Sequence, residues 1–152
     1  MSDFVTSQPS KEPAVPDILN EIPESHRDLL LAPLTATLTT IDVNGHPQST
    51  AVWYFVDGDG QLKGSTTSDR QKYKNLSRNP NCDLFIIDPQ SPFRTLEIRA
   101  EADLALDPDK ATVRKFADVY SVDEAMLVRA EEDRYTITYR PRRLVMNPPA
   151  QS

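Results

Sequence analysis

TLEIRAEADLAL, residues 95–106, alternates apolar and polar side chains without a break. Leu96, Ile98, Ala100, Ala102, Leu104 and Leu106 fall on one side, and Thr95, Glu97, Arg99, Glu101 and Asp103 on the other. A period of two puts successive side chains on opposite faces of a strand. A long strand with one oily and one charged face suits an antiparallel barrel wall, with a core on one side and water on the other.

Just upstream, residues 82–87 (CDLFII) read as a short buried strand ended by Asp88-Pro89. Residues 36–41 (ATLTTI) alternate and are threonine-rich, Asn44-Gly45 signals a reversal closed by His46 and Pro47, and residues 48–56 (QSTAVWYFV) return as one strand. Asp57-Gly58-Asp59-Gly60 turns the chain into a third strand over residues 61–66. That turn also resembles the start of a calcium loop, but Ser68 stands where such a loop needs its last glutamate. Residues 22–31 (IPESHRDLLL) predict a short helix with Pro23 in its first turn, Leu29 to Leu31 in the core and His26 as an exposed structural histidine.

Downstream, Asp107-Pro108 starts a helix whose Val113, Phe116, Ala117 and Tyr120 form one apolar stripe. Ser121 with Glu124 resembles a capping box for a second short helix carrying Met126 and Leu127. Residues 135–139 (YTITY) form a last strand, interrupted at Arg140-Pro141-Arg142-Arg143 and resumed at Leu144 to Met146. Strands that follow one another with few helices predict a mainly β barrel with helical covers. Residues 1–20 read as a flexible arm that could lie over a partner subunit, 21–147 as one domain, and 148–152 as a loose tail.

Composition removes several functions. A net charge of -6 over 152 residues argues against a nucleic-acid surface. Two histidines and the lone Cys82 make a metal site or a disulfide improbable, and Cys82 reads as a small buried hydrophobe. No run is long and apolar enough to span a membrane and the N-terminus lacks a signal peptide, so the expectation is a cytoplasmic protein without membrane or nucleic-acid partners. There is no Gly-x-Ser-x-Gly, P-loop or Gly-x-Gly-x-x-Gly, and Glu131 and Glu132 lie in a polar run. No catalytic residue can be named, so any chemistry would have to come from a cofactor.

One segment could hold such a group. TTSDRQKYKNLSRNP, residues 66–80, leads from a strand through a polar turn into a helix rich in cations. Ser68 or Asp69 is the expected N-cap, while Tyr73 and Leu76 face inward. Thr66, Thr67 and Ser68 bring hydroxyls, and Arg70 and Lys72 bring charge, to a helix start whose free amides suit a phosphate. A capped surface helix with solvated charges fits the same residues.

A strand ending in Thr-Thr and followed by Ser-Asp-Arg-x-Lys-x-x-Asn-Leu-x-Arg-Asn-Pro resembles the cofactor-phosphate segment of the pyridoxamine 5'-phosphate oxidase-like split-barrel proteins, in particular their branch using the deazaflavin coenzyme F-420. The order of the Asn-Gly hairpin, Trp53, Asp88-Pro89, the long alternating strand and Arg-Pro-Arg-Arg extends the likeness over most of the chain. It implies a six- to seven-stranded antiparallel split β-barrel, a homodimer with a cofactor at the subunit interface, and a small-molecule substrate. By position it implies that Arg70 and Lys72 hold the cofactor phosphate, helped by Thr66, Thr67 and Ser68, with Asn75 bracing the loop. The ring would lie along Ser49, Thr50, Ala51, Val52 and Trp53, where Trp53 serves as a pocket wall, a barrel or interface aromatic, or both. Arg99 reads first as a surface residue, then as an interface ion-pair partner or a pocket residue.

The vitamin-oxidising members carry a different phosphate strand and a C-terminal Trp, His and Arg signature, which RPRRL here lacks. The expected function is therefore hydride transfer from reduced F-420 to a small electrophilic or unsaturated molecule. The alternatives are an FMN-dependent oxidase or reductase and a non-catalytic flavin- or deazaflavin-binding protein.

Overall fold

The computed structural model describes residues 17–129 and 132–149. Seven strands form one antiparallel sheet: β1 (Ala36–Ile41), β2 (Pro47–Val52), β3 (Phe55–Val56), β4 (Leu62–Thr67), β5 (Asn81–Asp88), β6 (Ser91–Leu106) and β7 (Arg134–Asn147). Their order across the sheet is β2-β1-β5-β6-β7-β4-β3. The two edge strands, β2 and β3, are thus separated in sequence only by Trp53 and Tyr54. Three Cα steps span about 11 Å at most, whereas a flat seven-stranded sheet would hold its edges about 29 Å apart. The sheet must therefore curl until its edges nearly meet, and this is the split barrel expected.

The inward residues form the core: Leu38, Leu62, Leu84, Ile86, Leu96, Ile98, Ile137 and Tyr139 are all almost completely buried. The β6 alternation holds through Ala102, but Leu106 is exposed because β6 runs past the part of the core that would cover it. The Arg140–Arg143 stretch is not an interruption. Pairing passes from Arg99↔Arg143 to Ala100↔Pro141, so β7 is continuous and absorbs Arg142 as a bulge where proline has no amide to donate.

Among the described residues, four helices cover the barrel: α1 (Ile18–Glu21), α2 (Glu24–Leu31), α3 (Gln71–Arg78) and α4 (Ala111–Val119). Residues 1–16 of the expected arm lie outside the described residues, but its last part is α1, capped by Asp17 and anchored by the buried Ile18. Pro23 is the N-cap of α2 rather than part of its first turn. His26 is buried, with Nδ1 2.8 Å from Ser25 Oγ and Nε2 3.2 Å from the Asn147 carbonyl, because it shares the inward stripe of Leu29 and Leu30. Leu31 leaves that stripe and is exposed.

α4 begins at Ala111 with Lys110 (φ 58°) as N-cap, later than the expected Asp107-Pro108 start, because Asp107 reaches forward and its two carboxylate oxygens accept from the Ala111 and Thr112 amides at 3.0 Å. The following segment is a single 3-10 turn, Glu124–Met126. Asp123 caps it, not Ser121, which has φ 55° and cannot serve as an extended cap.

Candidate functional site

The predicted single strand over residues 48–56 is broken at Trp53 and Tyr54, and the break opens a cleft. One hydroxyl stabilises it. Tyr120 Oη lies 2.7 Å from the Leu34 carbonyl and 2.9 Å from the Tyr54 carbonyl, and accepts from the Tyr54 amide at 3.1 Å. With its backbone groups satisfied this way, Tyr54 can leave the ladder and bury its own ring, whose hydroxyl donates to the Leu29 carbonyl. Trp53 turns the other way, half-buried, and stacks on the Tyr120 ring.

The cleft has a volume of about 360 Å³. Its apolar wall is Ala51, Val52, Trp53, Val113, Phe116 and Leu127; its polar wall is Thr35, Ser65, Lys72 and Arg134. A smaller pocket of about 130 Å³, lined by Thr40, Gln48, Thr50, Arg70, Gln71 and Lys72, adjoins it at Lys72. Burial, followed by the nearby charges of Arg70 and Arg134, holds the Lys72 ammonium below the ordinary lysine range. Lys72 and Arg70 make no ion pair among the described residues. An aromatic chamber thus meets a basic pocket at one unpaired cation.

The expected site residues divide into three groups. Ala51, Val52, Trp53 and Lys72 line the cleft, and Thr50, Arg70 and Lys72 line the adjoining pocket. Ser49, Thr66, Thr67, Ser68 and Asn75 line neither. Ser49 sits beside Thr39 on the opposite strand face, their hydroxyls 2.8 Å apart. Thr66 and Thr67 are buried, and the Thr67 hydroxyl donates to the Asp69 carboxylate. Asp69 is therefore occupied, and Arg70, without a side-chain cap bond, is the N-cap of α3 in place of Ser68 or Asp69.

Asn75 is fully buried and acts as a brace. Its amide donates to Thr40 Oγ1 (3.0 Å) and Gln48 Oε1 (2.7 Å), while its carbonyl accepts from Gln71 and Arg78. These bonds tie α3 to β1 and β2 and so set the position of Lys72.

Thr35, Ser65, Val113, Phe116, Leu127 and Arg134 were not predicted as site residues. Arg134 gives no local signal: it enters because β7 pairs with β4 in a register that sets Arg134 opposite Thr67. Arg99 is exposed and paired with Glu97 at 3.5 Å on the outward face of β6. There it borders a groove of about 540 Å³ with Asp83 and Arg142. Cys82 is half-buried rather than buried, packing against the core while bordering the same groove, and desolvation pushes its thiol up to about 12, so it is inert at neutral pH.

Residues 22–144 match the Pyridoxamine 5'-phosphate oxidase family. The chain belongs to that family. Within it, the chain is 35% identical to a solved F420 reductase over 82% of its own length and 98% of the reductase, with a TM-score of 0.75. The protein Rv2991 from Mycobacterium tuberculosis shares the fold at 23% identity, covering 82% of this chain and 84% of that one, with a TM-score of 0.67. So does the heme storage protein HutZ from Vibrio cholerae, at 15% identity over 80% of this chain and 92% of its own, with a TM-score of 0.65. A comparison with curated protein sequences gives no match. No described helix is long and apolar enough to cross a membrane, and no group of metal-binding side chains occurs among the described residues.

Proposed function

We propose that the protein is an oxidoreductase that uses reduced coenzyme F-420 to transfer a hydride to a small electrophilic or unsaturated organic molecule. The observation that carries this reading is Lys72, a half-buried cation without a carboxylate partner among the described residues, where an aromatic cleft meets a basic pocket. The likeness to a solved F420 reductase selects the cofactor.

Bound in this cleft, the deazaflavin would supply the hydride, and the chain would bind, orient and keep water out. Lys72 and Arg70 would neutralise the phosphate. The edge strand β2 pairs only with β1, so backbone groups along its other side near Thr50 to Val52 remain open to a flat heterocycle. Trp53, on its Tyr120 backing, would form a rigid wall, while Val113, Phe116 and Leu127 close the apolar side. No carboxylic acid or histidine lines the cleft among the described residues, so a proton needed by the substrate would come from solvent or from another nearby side chain.

A homodimer with the cofactor between subunits belongs to the same reading. The outward sheet face carries exposed Ile87 and Val145 beside Asp83, Glu97, Arg99 and Arg142, a mixture that can pair with a second copy of itself. FMN is the second candidate cofactor, because its phosphate would meet the same cations. A protein that binds either cofactor without turnover is the third reading, supported by the lack of a carboxylic acid or histidine in the cleft among the described residues.

The deciding experiment titrates apo-protein with F-420 and with FMN, followed by fluorescence. F-420 bound at micromolar levels or tighter, with FMN much weaker, supports the proposal. The reverse order moves the protein to FMN chemistry, and binding of neither removes the phosphate assignment. Consumption of reduced F-420 on addition of an acceptor separates an enzyme from a carrier.

A further inference from the structure

Arg134 begins β7, and its guanidinium reaches the cleft wall opposite the helix that supplies Lys72. Its Nη2 donates to the Leu127 carbonyl at 2.7 Å, and its Nη1 is 3.5 Å from Ser65 Oγ. Glu132 stands beside it at 3.2 Å. Its Nε is buried and has no hydrogen-bond partner among the described residues. A guanidinium has five N–H donors and no acceptor, and a buried charged donor left unpaired is costly.

Among the described residues, the cations of this corner outnumber the carboxylates paired with them. Lys72 and Arg134 approach each other from different elements, close enough for Arg134 to make protonation of Lys72 less favourable. Glu132 offsets one positive charge, and Arg70 adds another from the adjoining pocket. Fastening the Leu127 carbonyl and pairing with Glu132 both use Nη2, which leaves Nη1 at a long 3.5 Å from Ser65 Oγ and Nε without a described partner. A charged fork facing the cleft suits an anion, since guanidinium geometry matches phosphate oxygens in pairs.

We propose that Arg134 is an anion-binding residue of the cleft, gripping from β7 the ligand phosphate that Lys72 meets from α3, with the Ser65 hydroxyl beside it. The inference rests on the reading of the cleft as a phosphate-bearing cofactor site. It adds a contact from β7, the strand paired with β4 beside the start of α3, so that the phosphate is held between two elements rather than on one helix. Because Arg134 also holds the Leu127 carbonyl, the cleft-lining segment around the 3-10 turn is fastened to the same residue that takes the anion.

The test compares wild type, R134K and R134Q in binding two ligand pairs: F-420 against the phosphate-free deazaflavin alcohol, and FMN against riboflavin. If Arg134 meets the phosphate, R134Q weakens the phosphate-bearing ligand about tenfold or more. It leaves the phosphate-free partner within about twofold, which also shows that the variant is folded. R134K recovers part of the loss for the phosphate-bearing ligand alone. Equal weakening of both members of a pair, or of neither, overturns the proposal and leaves Arg134 as a strap for Leu127. If wild type binds neither cofactor, the cofactor reading fails, and inorganic pyrophosphate decides the role of Arg134. A rise in the melting temperature of wild type but not of R134Q supports it, and the same response in both, or in neither, overturns it.

Discussion

The ring of Trp53 lies flat on the ring of Tyr120, with centroids 4.2 Å apart and 8° between the planes. The same tyrosine's hydroxyl holds the backbone on both sides of the Tyr54 peptide. One residue therefore maintains the break between β2 and β3 and supports the aromatic wall that the break exposes. Tyr120→Phe keeps the stack and removes the hydroxyl. It should cost about 2 kcal/mol, since the Leu34 and Tyr54 groups lose their shared partner in a half-buried site. Urea unfolding measures that cost. Fluorescence of Trp53, the only tryptophan of the chain, reports whether its wall has moved.

Lys72 should trade stability for binding. Its ammonium is held below free lysine's 10.5, chiefly by burial, so folding disfavours the charged form. The penalty is present at neutral pH and disappears as pH rises through the lowered value towards 10.5. Lys72→Met should therefore stabilise the apo-protein at pH 7 by about 1 kcal/mol, with the gap closing in alkaline solution. The same substitution should weaken the phosphate-bearing cofactor about tenfold to a hundredfold. Thermal unfolding across pH and a fluorescence titration check the two halves separately.

Asp83 and Glu97 lie on the outward face of the sheet, near Arg99 and Arg143. Burial, then the bond to Glu97 and its charge, pushes Asp83 up to about 7, while Glu97 is lowered, so the pair retains one proton on Asp83. A raised carboxyl destabilises the fold once it ionises, so the penalty accumulates as pH rises from about 4 to about 7. Asp83→Asn should be more stable than wild type above pH 7 by about 1–2 kcal/mol, a figure reduced for the screening of a half-exposed pair. The difference should vanish near pH 4. Equal stability of the two proteins at pH 8 would contradict this assignment.

Asn75 carries four hydrogen bonds in a fully buried site and touches neither pocket. Asn75→Ala should cost about 2–3 kcal/mol by leaving Thr40, Gln48 and Gln71 without partners. Because α3 then loses its tie to β1 and β2, cofactor affinity should fall even though Asn75 makes no contact with the ligand. Chemical denaturation gives the first effect. The second appears as a weaker Kd at a temperature where the variant is still fully folded.

Much of the barrel was legible one residue at a time. The alternation in residues 95–102 and the Asn44-Gly45 reversal each act through neighbours two to four positions away and appear where local chemistry puts them, whereas α4 starts at Ala111, past the expected Asp107-Pro108. The misreadings share a cause. The break at Trp53 and Tyr54 depends on a hydroxyl 66 positions along the chain, so an apolar run reads as one strand until Tyr120 is in place. His26 is buried because α2 meets the end of β7, whereas the shifted cap of α3 is a local exception, since Asp69 accepts from Thr67 two positions away.

The sequence by itself determined the strand faces, the antiparallel order and the basic segment that supplies Arg70 and Lys72, because periodicity and turn chemistry are short-range. The tertiary structure alone decided that Lys72 faces an aromatic cleft and that Arg134 meets it there. It also decided that Asn75, Thr66 and Thr67 support the site from behind rather than line it. Those positions follow from the curl of a seven-stranded sheet and the register of β4 against β7, which bring together side chains that no local pattern relates.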